Sequence, residues 1–518
     1  MNFTTAMANT LNEDYNVCVT ENGAVGYRTT GKALLDLNFS VASLRSASEA
    51  EIVSKFVKAF FEDKMAAMKW LFFARDVRGG LGERRLFRTV MKYLADNLPE
   101  YVRPVIELIA EYGRYDDLLC LLDTDLVSEV YPLIEEQLNR DLKSMKAGQP
   151  ISLLAKWLPS LGASSATTKR YAKQIQKMLG ATERQYRKML SELRGYLDVV
   201  EKKMSAKQWG EIKYEAVPSR ANLIYNKAFL RNDEERRRAF LESLAKGETK
   251  INAGTLFPHE IVSKYGNSVW NSINPYNETL EQLWKALPDT VNGNGNTIVV
   301  ADGSGSMTCD VDPHSRVTAL DVANALAIYF AEHSSGQFKD KYITFSGHPR
   351  LVDFSKAKNL REKLLIAKQH NEMANTNIEA VFNLILTTAV NNRMRQEDMP
   401  QNVLIISDME FDACATCCGS QSDYWSRKRP DSRLFNVIRQ KYEAAGYKLP
   451  RLVFWNVNSR TGTIPVKEND LGVALVSGFS QNVVSMVMSG KLDPYECLME
   501  TLNSKRYKPI EEALERVV

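Results

Sequence analysis

The chain has 518 residues, of which 44% are hydrophobic and 25% charged. These are ordinary globular proportions, long enough for two domains that each bury a core. No run of 18 apolar residues and no basic-then-apolar leader occurs, and the seven cysteines are odd in number and scattered, so a spanning helix, secretion and a disulfide framework are not expected. A cytoplasmic protein with reduced thiols, not associated with a membrane, is the expectation. The net charge of +4 is unevenly spread: residues 151–250 hold 21 Lys+Arg against 11 Asp+Glu, leaving about −6 for the rest. A basic middle fits a localised anionic partner, or a set of solvated helix faces.

After an N-terminal arm (1–40), residues 41–289 read as helical. Ile52, Phe56, Ala59 and Phe60, then Met65, Met68, Trp70 and Leu71, recur at spacings of three and four with charged residues between. The same texture returns at 86–94, 102–112, 127–142, 170–179 and 184–204, with Gly and Pro between segments. Helices of this length joined by short turns predict a HEAT-like helical-repeat domain, although no strict sequence period is present.

The texture changes at Asn292-Gly293-Asn294-Gly295-Asn296, a turn-rich breaker. Apolar strand-length runs follow at 297–301, 342–345, 403–406, 452–455 and 473–476, mostly separated by helical stretches. Strands alternating with helices predict a doubly wound parallel α/β sheet over residues 290–518, with both faces covered.

In such a sheet, ligands bind at the carboxyl ends of the strands. The first strand runs straight into Asp302-Gly303-Ser304-Gly305-Ser306, whose glycines let three oxygen-bearing side chains converge. A second loop carries Asn375-Thr376-Asn377 and a third Ser407-Asp408. Carboxylates and hydroxyls without His or Cys are hard donors suited to Mg2+, Mn2+ or Ca2+, and not to zinc. The alternative is a helix-capping loop. The pattern resembles the metal-ion-dependent adhesion site of von Willebrand factor A domains. That resemblance implies a magnesium-type site formed by Asp302, Ser304, Ser306, Thr376 and Asp408, with an open position for an acidic residue of a protein partner. The third loop departs from it, reading Asp408-Met409-Glu410 where many relatives have Asp-Gly.

In the helical half, Arg75-Asp76-Val77-Arg78-Gly79-Gly80-Leu81-Gly82-Glu83-Arg84-Arg85 joins an apolar helix end to a glycine turn. No Gly-Lys-Ser/Thr follows, so it is not a Walker loop. It is either an interhelical turn with locally paired charges, or a set of arginines (Arg75, Arg78, Arg84, Arg85) offered to phosphates at a helix start. Lys169, Arg170, Lys173 and Lys177 lie at helical spacing beside Tyr171, and 209–220 mixes aromatic and basic residues. Such mixtures suit RNA, or equally a solvated face or a core-anchored loop. Arg236-Arg237-Arg238 follows Asp233-Glu234-Glu235 and reads as a self-compensated helix face.

The order of the two halves, with the arginine turn first, resembles the TROVE/Ro autoantigen superfamily and its phage, bacterial and plant branch, over about residues 40–490. That resemblance implies a ribonucleoprotein component that binds structured or single-stranded non-coding RNA, here through Arg75, Arg78, Arg84, Arg85, Lys169, Arg170 and Lys173. Catalysis is not expected: the five histidines form no metal motif, no nucleophile elbow is present, and Cys414, Cys417 and Cys418 lack the second pair of a zinc site. Two rivals stand beside RNA binding. One is a protein-interaction scaffold using the cation site. The other is a metal-dependent nuclease in which Asp302, Asp408 and Glu410 hold cations.

Overall fold

In the computed structural model the chain divides into a helical unit (Glu49–Leu256, Glu278–Ala286 and Leu502–Val518) and an α/β unit (Met1–Ser48, Phe257–Asn277 and Leu287–Thr501). The structure describes residues 2, 4, 7, 15–19, 25–266, 273–291, 296–312, 315–371, 377–410, 433–460, 462–465, 473–483 and 493–517. No helix among them is long and apolar enough to cross a membrane.

Apolar spacing sets the helices of the first unit. Helix α1 (Glu49–Glu62) buries Ile52, Phe56, Ala59 and Phe60 on one face. Helix α2 (Lys64–Arg75) begins where Asp63 accepts a hydrogen bond from the Ala66 amide at 2.8 Å, satisfying a donor of the first turn. It is buried on every side from Ala66 to Arg75. Its Phe72 meets Phe87 of α3 (Arg84–Asn97) and Tyr112 edge-on, with centroids 5.6 and 5.4 Å apart. Then follow α4 (Val127–Lys146), α5 (Ala166–Met178), α6 (Glu183–Tyr196), α7 (Ser219–Asn232), α8 (Glu234–Ala245) and α9 (Glu278–Lys285). Two expected helices are broken. Pro104 lacks an amide donor, and the chain there takes a 3-10 stretch, Arg103–Leu108, before one turn at Ile109–Tyr112. The run 184–204 splits into α6 and Val200–Ser205, with Asp198 at φ +53° between them.

The glycine turn after α2 is architecture. Asp76 is fully buried. Its carbonyl accepts from the amides of Gly80 and Gly82, at 3.1 and 3.2 Å. Its carboxylate accepts from the Arg78 amide at 2.9 Å, Arg506 Nη2 at 2.8 Å, Arg506 Nε and the Tyr507 hydroxyl. A Cβ at Gly80 would stand 2.0 Å from the Phe73 carbonyl oxygen, and Gly82 has φ +73°, so neither place admits a larger residue cheaply. The C-terminal residues 502–518, with helix Lys508–Leu514, therefore complete this unit, and Lys69 of α2 pairs with Glu511.

The α/β unit holds a six-stranded mixed sheet. A two-stranded hairpin, β1 (Val17–Val19) and β2 (Val25–Tyr27), precedes β3 (Thr297–Asp302), β4 (Lys341–Phe345), β5 (Leu351–Asp353), β6 (Asn402–Ser407), β7 (Arg451–Asn456) and β8 (Val473–Ser477). The main order is β5-β4-β3-β6-β7-β8, parallel except for β5. The expected all-parallel sheet thus needs correction at one edge. Only residues 346–350 join β4 to β5, too few for the crossover that a parallel return requires. Helices α10 (Ala319–His333), α11 (Leu360–Gln369), α12 (Ile378–Asn391) and α13 (Arg433–Ala444) belong to this unit, and α10 is buried along almost its whole length. The N-terminal residues also differ from the expected separate arm. Tyr27 and Ile464 exchange backbone hydrogen bonds at 2.8 and 2.9 Å, and Asn456 Nδ2 donates to the Phe39 carbonyl at 2.8 Å.

Replacing Arg506 by Met leaves the buried Asp76 carboxylate with only a hydroxyl and one amide. Removing one partner of a buried pair is strongly unfavourable, and with Arg506 partly exposed the expected loss is about 2–4 kcal/mol. A thermal melt of the variant should show a clear fall in Tm, and an unchanged Tm would remove this role for the C-terminal segment.

Candidate functional site

The switch in strand order falls between β3 and β6, whose residues pair in parallel up to Ala301↔Ile406. Asp302 and Ser407 are therefore neighbours at the carboxyl end of the sheet, where ligands of open α/β sheets bind. The Ser407 hydroxyl donates to Asp302 Oδ2 at 2.6 Å, and the Ser304 amide donates to Asp302 Oδ1 at 2.9 Å. Beyond that turn the Ser304 and Ser306 hydroxyls lie 2.9 Å apart. On the third loop the Glu410 amide donates to Asp408 Oδ1 at 3.2 Å, and the Met409 amide to the Ser407 hydroxyl at 3.0 Å. Met409 has φ +63°, a conformation glycine adopts freely and a side-chain-bearing residue rarely does. The departure from Asp-Gly noted in the sequence thus keeps a glycine-like backbone.

Asp302 and Asp408 are both 1% exposed. Burial, then the neighbouring Asp302 charge, push the Asp408 carboxyl up to about 7, while Ser306 and the Glu410 amide oppose the rise. Its Oδ2 atom is buried without a hydrogen-bond partner. Such an oxygen is costly unless something positive meets it. Asp302, Ser304, Ser306 and Asp408 are a hard-oxygen set that could hold Mg2+, Mn2+ or Ca2+, and the oxygen without a hydrogen bond is the feature that fits a cation. Among the described residues no group of three or more His, Cys, Asp and Glu converges on a metal position, so the hydroxyls are needed as donors. Thr376 lies outside the described residues, as do Cys414, Cys417 and Cys418; α12, which Thr376 precedes, is capped by Asn377, accepting from the Ala380 amide at 3.1 Å.

Sequence reasoning missed Arg460. It follows β7 at the carboxyl end of the next strand, and its Nη2 lies 3.7 Å from Asp408 Oδ2. Its amide donates to Glu410 Oε1 at 3.1 Å and its Nη1 to Cys309 Sγ at 3.4 Å. The run Asn456-Val457-Asn458-Ser459-Arg460 was the available signal, because it closes another strand at the same edge.

In the helical unit the expected RNA-contacting residues separate into two groups. Arg75 is a correction: it is buried, and its Nε donates to Asp117 Oδ2 at 2.8 Å. Asp117 also receives Arg88 Nε at 2.6 Å and the Arg114 amide at 2.9 Å. Buried in this network, Arg75 cannot reach a phosphate. Arg78, Arg84 and Arg85 are exposed, the last two in the first turn of α3. The Arg84 pKa is lowered, first by partial loss of water around the guanidinium and then by the Arg114 and Arg88 charges, against the opposing pull of Asp116 and Asp117. On α5, Lys169, Lys173 and Lys177 are exposed. Arg170 forms a two-pronged pair with Asp123 at 2.8 and 2.6 Å, joined by the Tyr171 hydroxyl at 2.8 Å, so it anchors the helix. The loop 209–220 is core-anchored: Tyr214 is buried and stacked on Phe240, and Arg236 donates to the carbonyls of Trp209 and Ile212. Arg236 and Arg238 pair with Asp233 and Glu234, while Arg237 is fully buried among Tyr214, Phe229 and Phe240.

The raised Asp408 pKa has a definite sign. Between the ordinary carboxylate value near 4 and about 7, the folded chain holds a proton that the unfolded chain lacks, so this group's contribution to stability is lost as pH rises through that window. In EDTA, Asp408→Asn is expected to raise Tm relative to wild type at pH 8 and to change it little at pH 4. A variant less stable than wild type at pH 8 would contradict a charge made costly by burial.

A protein from Acanthamoeba polyphaga mimivirus, named "Uncharacterized protein L728", is 31% identical over 535 residues, covering 96% of this chain and 89% of its own length. The crystal structure of the Deinococcus radiodurans RO (RSR) protein is similar with a TM-score of 0.37 at 14% identity, covering 89% of this chain and 92% of that one. The family model described as Domain of unknown function (DUF7788) matches residues 296–514, the greater part of the α/β unit. A second model, Domain of unknown function (DUF2828), matches residues 20–124 and 124–297, more than half of the chain, and the chain belongs to that family.

Proposed function

We propose that this protein binds RNA through the exposed cations of its helical unit, without catalysing a reaction on it. The reading treats the helical unit as the Ro-like, HEAT-like part and the α/β unit as an A-domain-like part with a magnesium-type cation site. The observation that carries it is the row Lys169, Lys173, Lys177 on α5. These residues are exposed, repeat every four positions on one helix face, and take part in no ion pair among the described residues. They lie about 6 Å apart along the axis, and like charges at that spacing destabilise a helix by a few tenths of a kcal/mol per pair. A polyanion turns that repulsion into attraction. Arg84 and Arg85 support the reading, since cations in the first turn of α3 oppose the helix dipole and an anion there is favoured.

The experiment is a filter-binding titration of the full chain with a single-stranded RNA and with a hairpin RNA across salt concentrations. Double charge reversal, Lys169→Glu with Lys173→Glu, should weaken binding about tenfold or more and reduce the dependence of log K on log salt by about two phosphate contacts. Binding that is absent in the wild type, or unchanged in the variant, removes the proposal.

A second reading is favoured by the buried Asp408 oxygen that lacks a hydrogen bond. Asp302, Ser304, Ser306 and Asp408 would hold a hard divalent cation, which supplies a docking point for a carboxylate of a protein partner. Asp302→Ala with Ser304→Ala should then abolish Mn2+-dependent binding of a Glu-bearing peptide, measured by calorimetry, and leave RNA affinity unchanged. Persistence of peptide binding in that variant would eliminate the docking reading.

A further inference from the structure

We propose that Arg460 is a built-in competitor of the divalent cation, a tethered monovalent charge that holds the site until the ion displaces it. This inference rests on the cation-site reading above. Three observations carry it. The Asp408 oxygen without a hydrogen bond, Oδ2, is the one that Arg460 Nη2 approaches, at 3.7 Å. That distance is too long for a hydrogen bond but short enough for strong charge interaction. The same guanidinium reaches Cys309 Sγ through Nη1 at 3.4 Å. Cys309 closes the turn that begins at Ser304 and Ser306, so Arg460 bridges the first and third loops, the two that supply Asp302, Ser304, Ser306 and Asp408.

The backbone fixes this placement. The Asn456 side-chain oxygen accepts from the amides of Asn458 and Ser459, at 3.0 and 2.8 Å. The Val457 amide donates to the Ser407 carbonyl at 3.0 Å, and the Arg460 amide to Glu410 Oε1 at 3.1 Å. The loop after β7 is thereby folded back against the loop after β6, and Arg460 emerges beside Asp408. Its side chain is 32% exposed, so it has a route to water when displaced. An arginine cannot discharge itself by losing a proton. The guanidinium therefore keeps its charge across ordinary pH, and ion binding must overcome both the Asp408–Arg460 attraction and the repulsion between guanidinium and ion.

The test is Mn2+ binding to the full chain, measured by calorimetry and by the loss of the free Mn2+ EPR signal, with melting curves to verify folding. Arg460→Gln removes the charge and keeps a polar side chain; its Mn2+ affinity should rise about tenfold. Arg460→Lys keeps the charge and should stay within about threefold of wild type. Asp302→Asn should abolish binding in each background, which assigns the signal to this site. Mn2+ affinity equal to or weaker than wild type in a folded Arg460→Gln protein overturns the competitor role and leaves the cation site standing. Absence of Asp302-dependent Mn2+ binding in both wild type and Arg460→Gln overturns the two together.

Discussion

Two carboxylates of like charge are buried at the ends of neighbouring strands, and the tip of the α/β unit is arranged around that constraint. Asp302 ends β3, and Asp408 follows β6. Parallel pairing of β3 with β6 forces them together, and burial denies them water. Coulomb repulsion at short range in a partly desolvated setting is worth several kcal/mol. The loops answer unequally. Asp302 receives the Ser304 amide and the Ser407 hydroxyl, whereas Asp408 receives the Glu410 amide and keeps one oxygen without a hydrogen bond. Burial and the Asp302 charge together raise the Asp408 carboxyl above the ordinary carboxylate range.

The helical unit provides the contrasting case. Asp76 and Asp117 are also fully buried acids, but each is met in place by arginine: Asp76 by Arg506, Asp117 by Arg75 and Arg88. A buried carboxylate with its charge neutralised and its oxygens hydrogen-bonded fixes geometry and has nothing left to offer a ligand. The two units thus hold the same residue type at the same depth with opposite consequences. What separates scaffold from candidate site is the completeness of the partner set, and burial alone does not decide it.

This distinction governs what could be read in the sequence. The change from helical to α/β texture near residue 290, the strand leading into Asp302 and the strand before Ser407 were legible, because hydrophobic period and turn residues are local signals. The partners were not. Arg506 lies 430 positions from Asp76, and Asp117 lies 42 from Arg75; no spacing rule joins residues so far apart. From the sequence alone the glycine turn therefore stays open between an interhelical turn and a set of phosphate-facing arginines; in the structure its first arginine points inward. Arg460 was hidden for the same reason: only the order of β6 and β7 in the sheet sets it beside Asp408. Breaks within helices are hidden as well, since Pro104 sits inside a continuous apolar pattern while its missing amide shortens the helix.

Net charge is a poor guide to where an anion binds until the pairing is known. Within 151–250, Arg187 pairs with Glu183, Lys188 with Glu192, Arg236 with Asp233 and Arg238 with Glu234. Arg194 is turned inward onto the carbonyls of Ala155 and Leu158, and Arg237 sits in an aromatic box. These residues raise the basic count without offering an outward charge that lacks a counter-charge. On α5, by contrast, Arg170 and Tyr171 clamp Asp123, which fixes the rotation of the helix. Lys169 and Lys173 flank that clamp one turn apart and remain exposed. The same clamp uses the nearby carboxylate on Arg170, so Asp123 is not left to neutralise the lysines. The acid thus anchors the helix while the lysines face water, where like charges one turn apart repel each other.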